Sequence, residues 1–161
     1  MSAADVLGVL AALEGRGIPA WLDGGWGIDA LLGKQTRPHE DVDLVVPVPD
    51  VLALVELLGA HGYQLTEGRL HSNFVLTDDA RHKVDVHPVV FDAEGNGHYT
   101  MDNDEIWVYP ASGLAGAGRI AGVRVRCLTP ELQLITHDGY ELDEADRRDL
   151  DAIRRRFDLP Q

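Results

Sequence analysis

Asp41-Val42-Asp43 sets two carboxylates in an apolar run that continues through Leu44-Val45-Val46, and Val84-Asp85-Val86-His87 brings a third acid further along the chain. Alternate side chains of a strand share a face, so Asp41 and Asp43 point one way while Val42 and Leu44 point the other. Two carboxylates on one face can hold one or two Mg²⁺ ions, which take hard oxygen ligands and share their shell with phosphates and water. The reaction such a set serves is phosphoryl-type transfer, where positioning and charge neutralisation supply most of the catalysis. Upstream lies Leu22-Asp23-Gly24-Gly25-Trp26. Glycines there let the backbone approach a phosphate, and a following helix offers its unpaired N–H groups to the anion. Taken singly, the glycine pair also fits a plain strand-to-helix turn and the acid pair a solvated strand edge. Their order (glycine pair, short helix, loop, acid pair, third acid) favours the chemical reading.

The elements needed to position these residues are legible around them. Val6, Leu7, Leu10 and Leu13 fall at helical spacing, closed by Gly15 and Gly17. A strand through Ala20-Trp21-Leu22 then hands over to a short helix ending at Gly33. After the Asp41 strand, Pro47-Val48-Pro49 breaks regular structure. Asp50 is expected to cap a helix striped by Val51, Leu54, Val55 and Leu58 and ended by Gly59. Residues 63–67, 73–77 and 83–91 read as a meander turning at Asp78-Asp79, with Asp85 and His87 on one face and Val84, Val86 and Val90 serving the core on the other. Thr129 caps a helix with Pro130 at its first position, and Leu150, Ile153 and Phe157 stripe a last helix that begins near Asp143, Glu144 and Asp146.

Asp23-Gly24-Gly25-Trp26, the run Gly33-Lys34-Gln35-Thr36-Arg37, His39 and Asp41-x-Asp43 resemble the small antibiotic nucleotidyltransferases of the DNA polymerase β-like superfamily. Cys127-Leu128-Thr129-Pro130-Glu131 and His137-x-Gly139-Tyr140 extend the likeness over nearly the whole chain, toward lincosamide nucleotidyltransferases and the aminoglycoside 2″-nucleotidyltransferase. The resemblance implies an α+β polymerase β-like fold, a mixed β-sheet flanked by helices. It implies a single domain over residues 1–161, with a core over about 1–128 and a short helical C-terminal part over about 129–161. It further implies transfer of a nucleoside monophosphate, usually AMP from ATP, onto a hydroxyl of a small molecule, with release of pyrophosphate. Carried over by position, Asp41 and Asp43 are metal ligands, and Asp85 is the third acid that binds metal or accepts the hydroxyl proton. Gly24 and Gly25 face the triphosphate, and Arg37 and His39 are partners for phosphate or for the acids, or else solvated loop residues.

The remaining candidates are less defined. Between residues 92 and 122, Asp102, Asp104, Glu105, Trp107 and Tyr109 alternate acids with aromatics, as an acceptor pocket for a sugar or amine would, though a surface loop and a glycine-rich hairpin explain them too. His87 is placed to bind metal, orient Asp85 or touch substrate, or to be structural beside Pro88. His71 has the same ambiguity. His61, His82, His98 and His137 form no zinc spacing.

Composition bounds the rest. A chain of 161 residues, 45% hydrophobic and 25% charged, is enough for one buried core. No apolar run approaches the roughly 20 residues that span a bilayer, and Met1-Ser2-Ala3-Ala4-Asp5 lacks signal-peptide character, so a cytoplasmic protein is expected. The single cysteine, Cys127, reads as a small buried residue. With 27 acids against 14 bases the net charge is −13, which argues against nucleic acid or an anionic membrane as partner and favours a cationic acceptor. Arg147-Arg148 and Arg154-Arg155-Arg156 read as a solvated helix face. The alternatives are a toxin- or antitoxin-type enzyme modifying RNA or protein, which in its RNA form needs a basic groove, and a non-catalytic nucleotide-binding protein, which the intact acids disfavour. Many relatives carry an additional helical domain, so a homodimer is expected to complete the acceptor side here.

Overall fold

The structure is a computed structural model that describes residues 1–101, 103–137 and 144–160. Helix α1 (Ala3–Gly15) opens with a capping box in which Ser2 and Asp5 exchange bonds, and the chain turns out of it at Gly17. Strand β1 (Trp21–Asp23) runs directly into α2 (Gly24–Leu32), which stops at Gly33 in the left-handed conformation. Strand β2 (Asp41–Pro47) leads through a 3₁₀ turn into α3 (Val51–Ala60). Five strands follow: β3 (Gln64–Gly68), β4 (Phe74–Thr77), β5 (Lys83–Phe91), β6 (Gly97–Thr100) and β7 (Ile106–Tyr109). A hairpin of β8 (Ala117–Ile120) and β9 (Val123–Arg126) precedes α4 (Pro130–Thr136) and α5 (Glu144–Phe157).

One mixed sheet has the order β1-β2-β5-β4-β3, with β2 and β5 parallel and the other pairs antiparallel. The long strand β5 pairs with β4 along its first half and with β6 along its second, and β7 extends the sheet beyond β6. Leu22, Val42, Leu44, Val84 and Val86 point to one face, where they pack with Val6, Val9 and Leu13 of α1 and Leu54 and Leu58 of α3. That apolar layer fixes the register of the strands, because a one-residue slip would turn the acids into it. The opposite face carries the acids. Helix α2 adds Trp26 and Ala30 to the apolar layer and packs against α4 and α5, with Ile28 meeting Leu150 and Ile153. Among the described residues no helix is long and apolar enough to cross a membrane.

Two expectations are corrected. Val90 does not serve the core but is 57% exposed: Pro88 and Val89 are both buried, so the alternation of β5 reverses after Pro88, where its partner changes from β4 to β6. Asp50 makes no side-chain cap. The 3₁₀ turn Val48–Asp50 already curls the chain, leaving Asp50 with helical angles instead of the extended ones that aim a capping side chain. Thr129 caps α4 by accepting from the Leu132 N–H, and Cys127 is buried, as expected. Asp102, Gly139-Tyr140 and Asp143 lie outside the described residues.

Candidate active site

Strand register assembles the acids. Asp23 of β1 stands opposite Asp43 of β2, and Asp43 stands beside Asp85 of β5, so three carboxylates form one row across the sheet. Asp41 lies one pleat away on the same face. On the other side of the row comes His87, whose Nε2 is 4.0 Å from Asp43 Oδ1 and 3.8 Å from Asp85 Oδ1. Sequence reasoning took Asp23 only as part of the glycine motif. The antiparallel β1–β2 pairing that brings it to Asp43 has no local signal, although its place one residue before a helix-opening glycine marks it as a cap. Asp23 Oδ1 does accept from the Gly24 N–H at 2.7 Å and from Thr136 Oγ1 at 3.3 Å, and the Tyr109 hydroxyl bonds to the same carboxylate.

The glycine pair has a steric reason within the fold itself. Gly24 has φ +56°, and a Cβ there would collide with the Asp43 carboxylate, while a Cβ on Gly25 would strike the His39 ring. Asp43 and His39 thus sit directly over the start of α2. Asp23, Gly24, Gly25, Arg37, His39, Asp41, Asp43, His87, Thr136, His137 and Asp146 line a cleft of about 380 Å³. Arg37 has partners on α5, its Nε donating to Asp149 Oδ2 at 2.8 Å with Asp146 nearby.

Electrostatics make the row a candidate cation site. Loss of water holds the Asp43 carboxyl well above the ordinary carboxylate range, and repulsion from Asp41, Asp23 and Asp85 adds to it. Asp85 is raised by the same desolvation, opposed by His87 and by a hydrogen bond from Asn73. Asp85 Oδ1 and His87 Nδ1 are buried without a hydrogen-bond partner, and donor atoms of Asp43, Asp85 and His87 lie within 4.8 Å of one another. Clustered carboxylates that resist ionisation and an orphaned oxygen facing an imidazole suit a divalent metal. Burial likewise pushes the Tyr109 phenol up, with Asp23 reinforcing the effect.

The predicted acceptor residues separate into two groups. Tyr109 is buried against Asp23, and Trp107 is half-buried in the same apolar cluster as Tyr99, whose ring meets those of His87 and Tyr109 edge-on at 5.4 Å and 6.5 Å. Asp104 and Glu105 are not brought to the cleft. They sit in the turn between β6 and β7, where Asp104 has φ +65° and Glu105 is tied to Asn103, both exposed to solvent.

Comparison with known proteins agrees with this geometry. The model of the aminoglycoside-2″-adenylyltransferase family matches residues 5–153. A lincosamide resistance protein of Staphylococcus haemolyticus is 28% identical over 154 residues, covering 91% of this chain and 90% of that one. A 2″-aminoglycoside nucleotidyltransferase of Escherichia coli is 48% identical over 54 residues, 32% of this chain and 30% of its own length. The crystal structure of the lincomycin-bound lincosamide antibiotic adenylyltransferase LnuA superimposes with a TM-score of 0.84 at 26% identity, covering 94% of this chain and 95% of that one. Such enzymes work on a nucleoside triphosphate with a divalent metal. An acid row of this kind beside a glycine-opened helix, in a chain matched from residue 5 to residue 153, makes the protein a nucleotidyltransferase of the polymerase β-like fold and a member of the aminoglycoside-2″-adenylyltransferase family.

Proposed function

We propose that the chain, acting as one domain, transfers AMP from ATP to a hydroxyl of a small cationic antibiotic, with Mg²⁺ as the metal and pyrophosphate as the leaving group. The observation that carries this reading is the row Asp23–Asp43–Asp85 beside the N-terminus of α2, with Asp41 one pleat away. Asp41, Asp43 and Asp85 would hold the metal, with His87 adjoining. A bound divalent ion would neutralise the triphosphate and polarise its α-phosphorus. The row divides the cleft: Gly24, Gly25, Arg37 and His39 lie on the side proposed for the triphosphate, and His87, Tyr99, Trp107 and Tyr109 on the side proposed for the acceptor. Asp85, whose Oδ1 is buried without a hydrogen-bond partner, would take the proton of the attacking hydroxyl.

Between acceptors, the long match to the lincosamide resistance protein favours a lincosamide, as does an acceptor wall of aromatic rings without the carboxylates of Asp104 and Glu105. The shorter, higher-identity match keeps an aminoglycoside as the second reading. ATP as donor puts the reaction in the cytoplasm. A homodimer is part of the proposal, supported by the exposed apolar side chains Val90 of β5 and Ile106 and Val108 of β7.

The test is pyrophosphate release with each of ATP, GTP, CTP and UTP, with Mg²⁺, against lincosamides and aminoglycosides. Release that needs ATP and lincomycin, and is lost in Asp41→Ala, is expected. Release with tobramycin alone would move the assignment to the second reading, and none with any pair would sink both.

A further inference from the structure

Asp29 stands in α2 outside the cleft lining, is 2% exposed, and spends its whole carboxylate on the loop that follows the helix. Its Oδ1 accepts from the Thr36 backbone N–H at 2.9 Å and from Thr36 Oγ1 at 2.6 Å, and its Oδ2 pairs with His39 Nε2 at 2.5 Å. A buried carboxylate is costly unless its oxygens are satisfied, and here both are. The two partners lead to the nucleotide side of the site. His39, as buried as Asp29, lies over Gly25 and against Trp26, with ring centroids 5.0 Å apart. Thr36 immediately precedes Arg37.

We propose that Asp29 is a positioning residue for the triphosphate. It touches no substrate; it acts by holding the His39 ring and the Thr36–Arg37 backbone in place above the glycine pair. With Nε2 committed to Asp29, the opposite edge of the ring is the one that faces Gly25 and the cleft. Ring orientation set by a second carboxylate is the arrangement by which histidines are fixed at phosphate and metal sites. The inference rests on the reading of this side of the cleft as the nucleotide site.

A double-mutant cycle read by calorimetry tests it, with a non-hydrolysable ATP analogue and Mg²⁺ as the probe. Asp29→Asn and His39→Gln are each expected to weaken the analogue about tenfold, the size of one lost charge-assisted hydrogen bond. The double variant is expected to be no weaker than either single one, because both remove the same device. Effects that multiply to about a hundredfold would show that Asp29 does not work through His39 and would overturn the proposal. Should Asp29→Asn not fold by circular dichroism, Thr36→Val replaces it in the cycle. Thr36 and His39 share Asp29 as partner, so coupling between them is expected and additivity overturns the proposal. A wild-type protein that binds no nucleoside triphosphate analogue would refute the nucleotide reading itself, whereas tight wild-type binding that Asp29→Asn leaves unchanged would refute only this inference.

Discussion

The two sides of the acid row are built differently. The side proposed for the nucleotide comes from one stretch, Asp23 to Asp43, whose side chains interlock within it: Asp29 with Thr36 and His39, Gly25 beneath His39, and Gly24 beneath Asp43. On the side proposed for the acceptor, His87, Tyr99, Trp107 and Tyr109 come from three strands, and the outer surface of the same strands exposes Val90, Val108 and Ile106. Buried charge with every partner named fixes one side, while aromatic packing shapes the other. The first arrangement tolerates little change in geometry; the second can be reshaped by single substitutions without loss of the chemistry. Donor use is therefore expected to be the rigid property of this protein and acceptor choice the adjustable one.

The largest effect should come from the row that both sides share. Asp43→Asn is expected to lower kcat/KM about a thousandfold or more, as loss of a group aimed at developing charge does. The same change should raise the melting temperature of the metal-free protein at neutral pH. Its sign follows from linkage: a carboxyl whose folded pKa lies above its unfolded 3.8 favours folding while protonated, and that contribution is lost as pH rises through the raised value. Thermal melts of wild type and Asp43→Asn should accordingly diverge from acidic to neutral pH, and divalent metal should close the gap. Parallel curves would mean that the row carries no electrostatic strain.

Next in size, Gly25→Ala pushes a methyl into the His39 ring and should cost about 1–3 kcal/mol of stability, with weaker nucleotide binding. A chemical denaturation midpoint unchanged from wild type would show that the nucleotide side is softer than its bonds suggest. On the acceptor side, Tyr109→Phe removes one hydrogen bond to Asp23 and should lower kcat by about fivefold, roughly 1 kcal/mol, with little change in nucleotide affinity. Equal changes in both would erase the distinction between the sides. The smallest effect on the fold is expected for Val108→Lys, within about 0.5 kcal/mol, because the side chain is already exposed. Sedimentation should nonetheless show a monomer if this exposed face of β5 and β7 forms the proposed dimer contact, and an unchanged mass would place that contact elsewhere.

What was legible in the sequence follows the same division. Alternation in Asp41-x-Asp43 and Val84-Asp85-Val86, the glycine-opened helix and its Gly33 stop are local signals, and the structure repeats them. Asp23 and Asp29 joined the site through a strand pairing and a helix-to-loop bond that no local pattern encodes. Val90 and Asp50 depart from the local pattern for a related reason: Pro88 and the Pro47-Val48-Pro49 turn shift the backbone phase, so a rule that continues from the preceding residues points the next side chain the wrong way. Asp104 and Glu105 show that composition does not reveal where a hairpin turns back.

Parallel pairing of β2 with β5 brings Asp43 to Asp85 only after α3, β3 and β4 have been threaded between them. Contacts this distant along the chain carry a large loop-closure cost and form late relative to helices and hairpins. During refolding, α1, α2 and the β3–β4 hairpin can therefore gain structure well before the acid row is assembled. Recovery of activity should lag recovery of helical signal, and competence for the reaction should serve as a direct clock for closure of the central sheet.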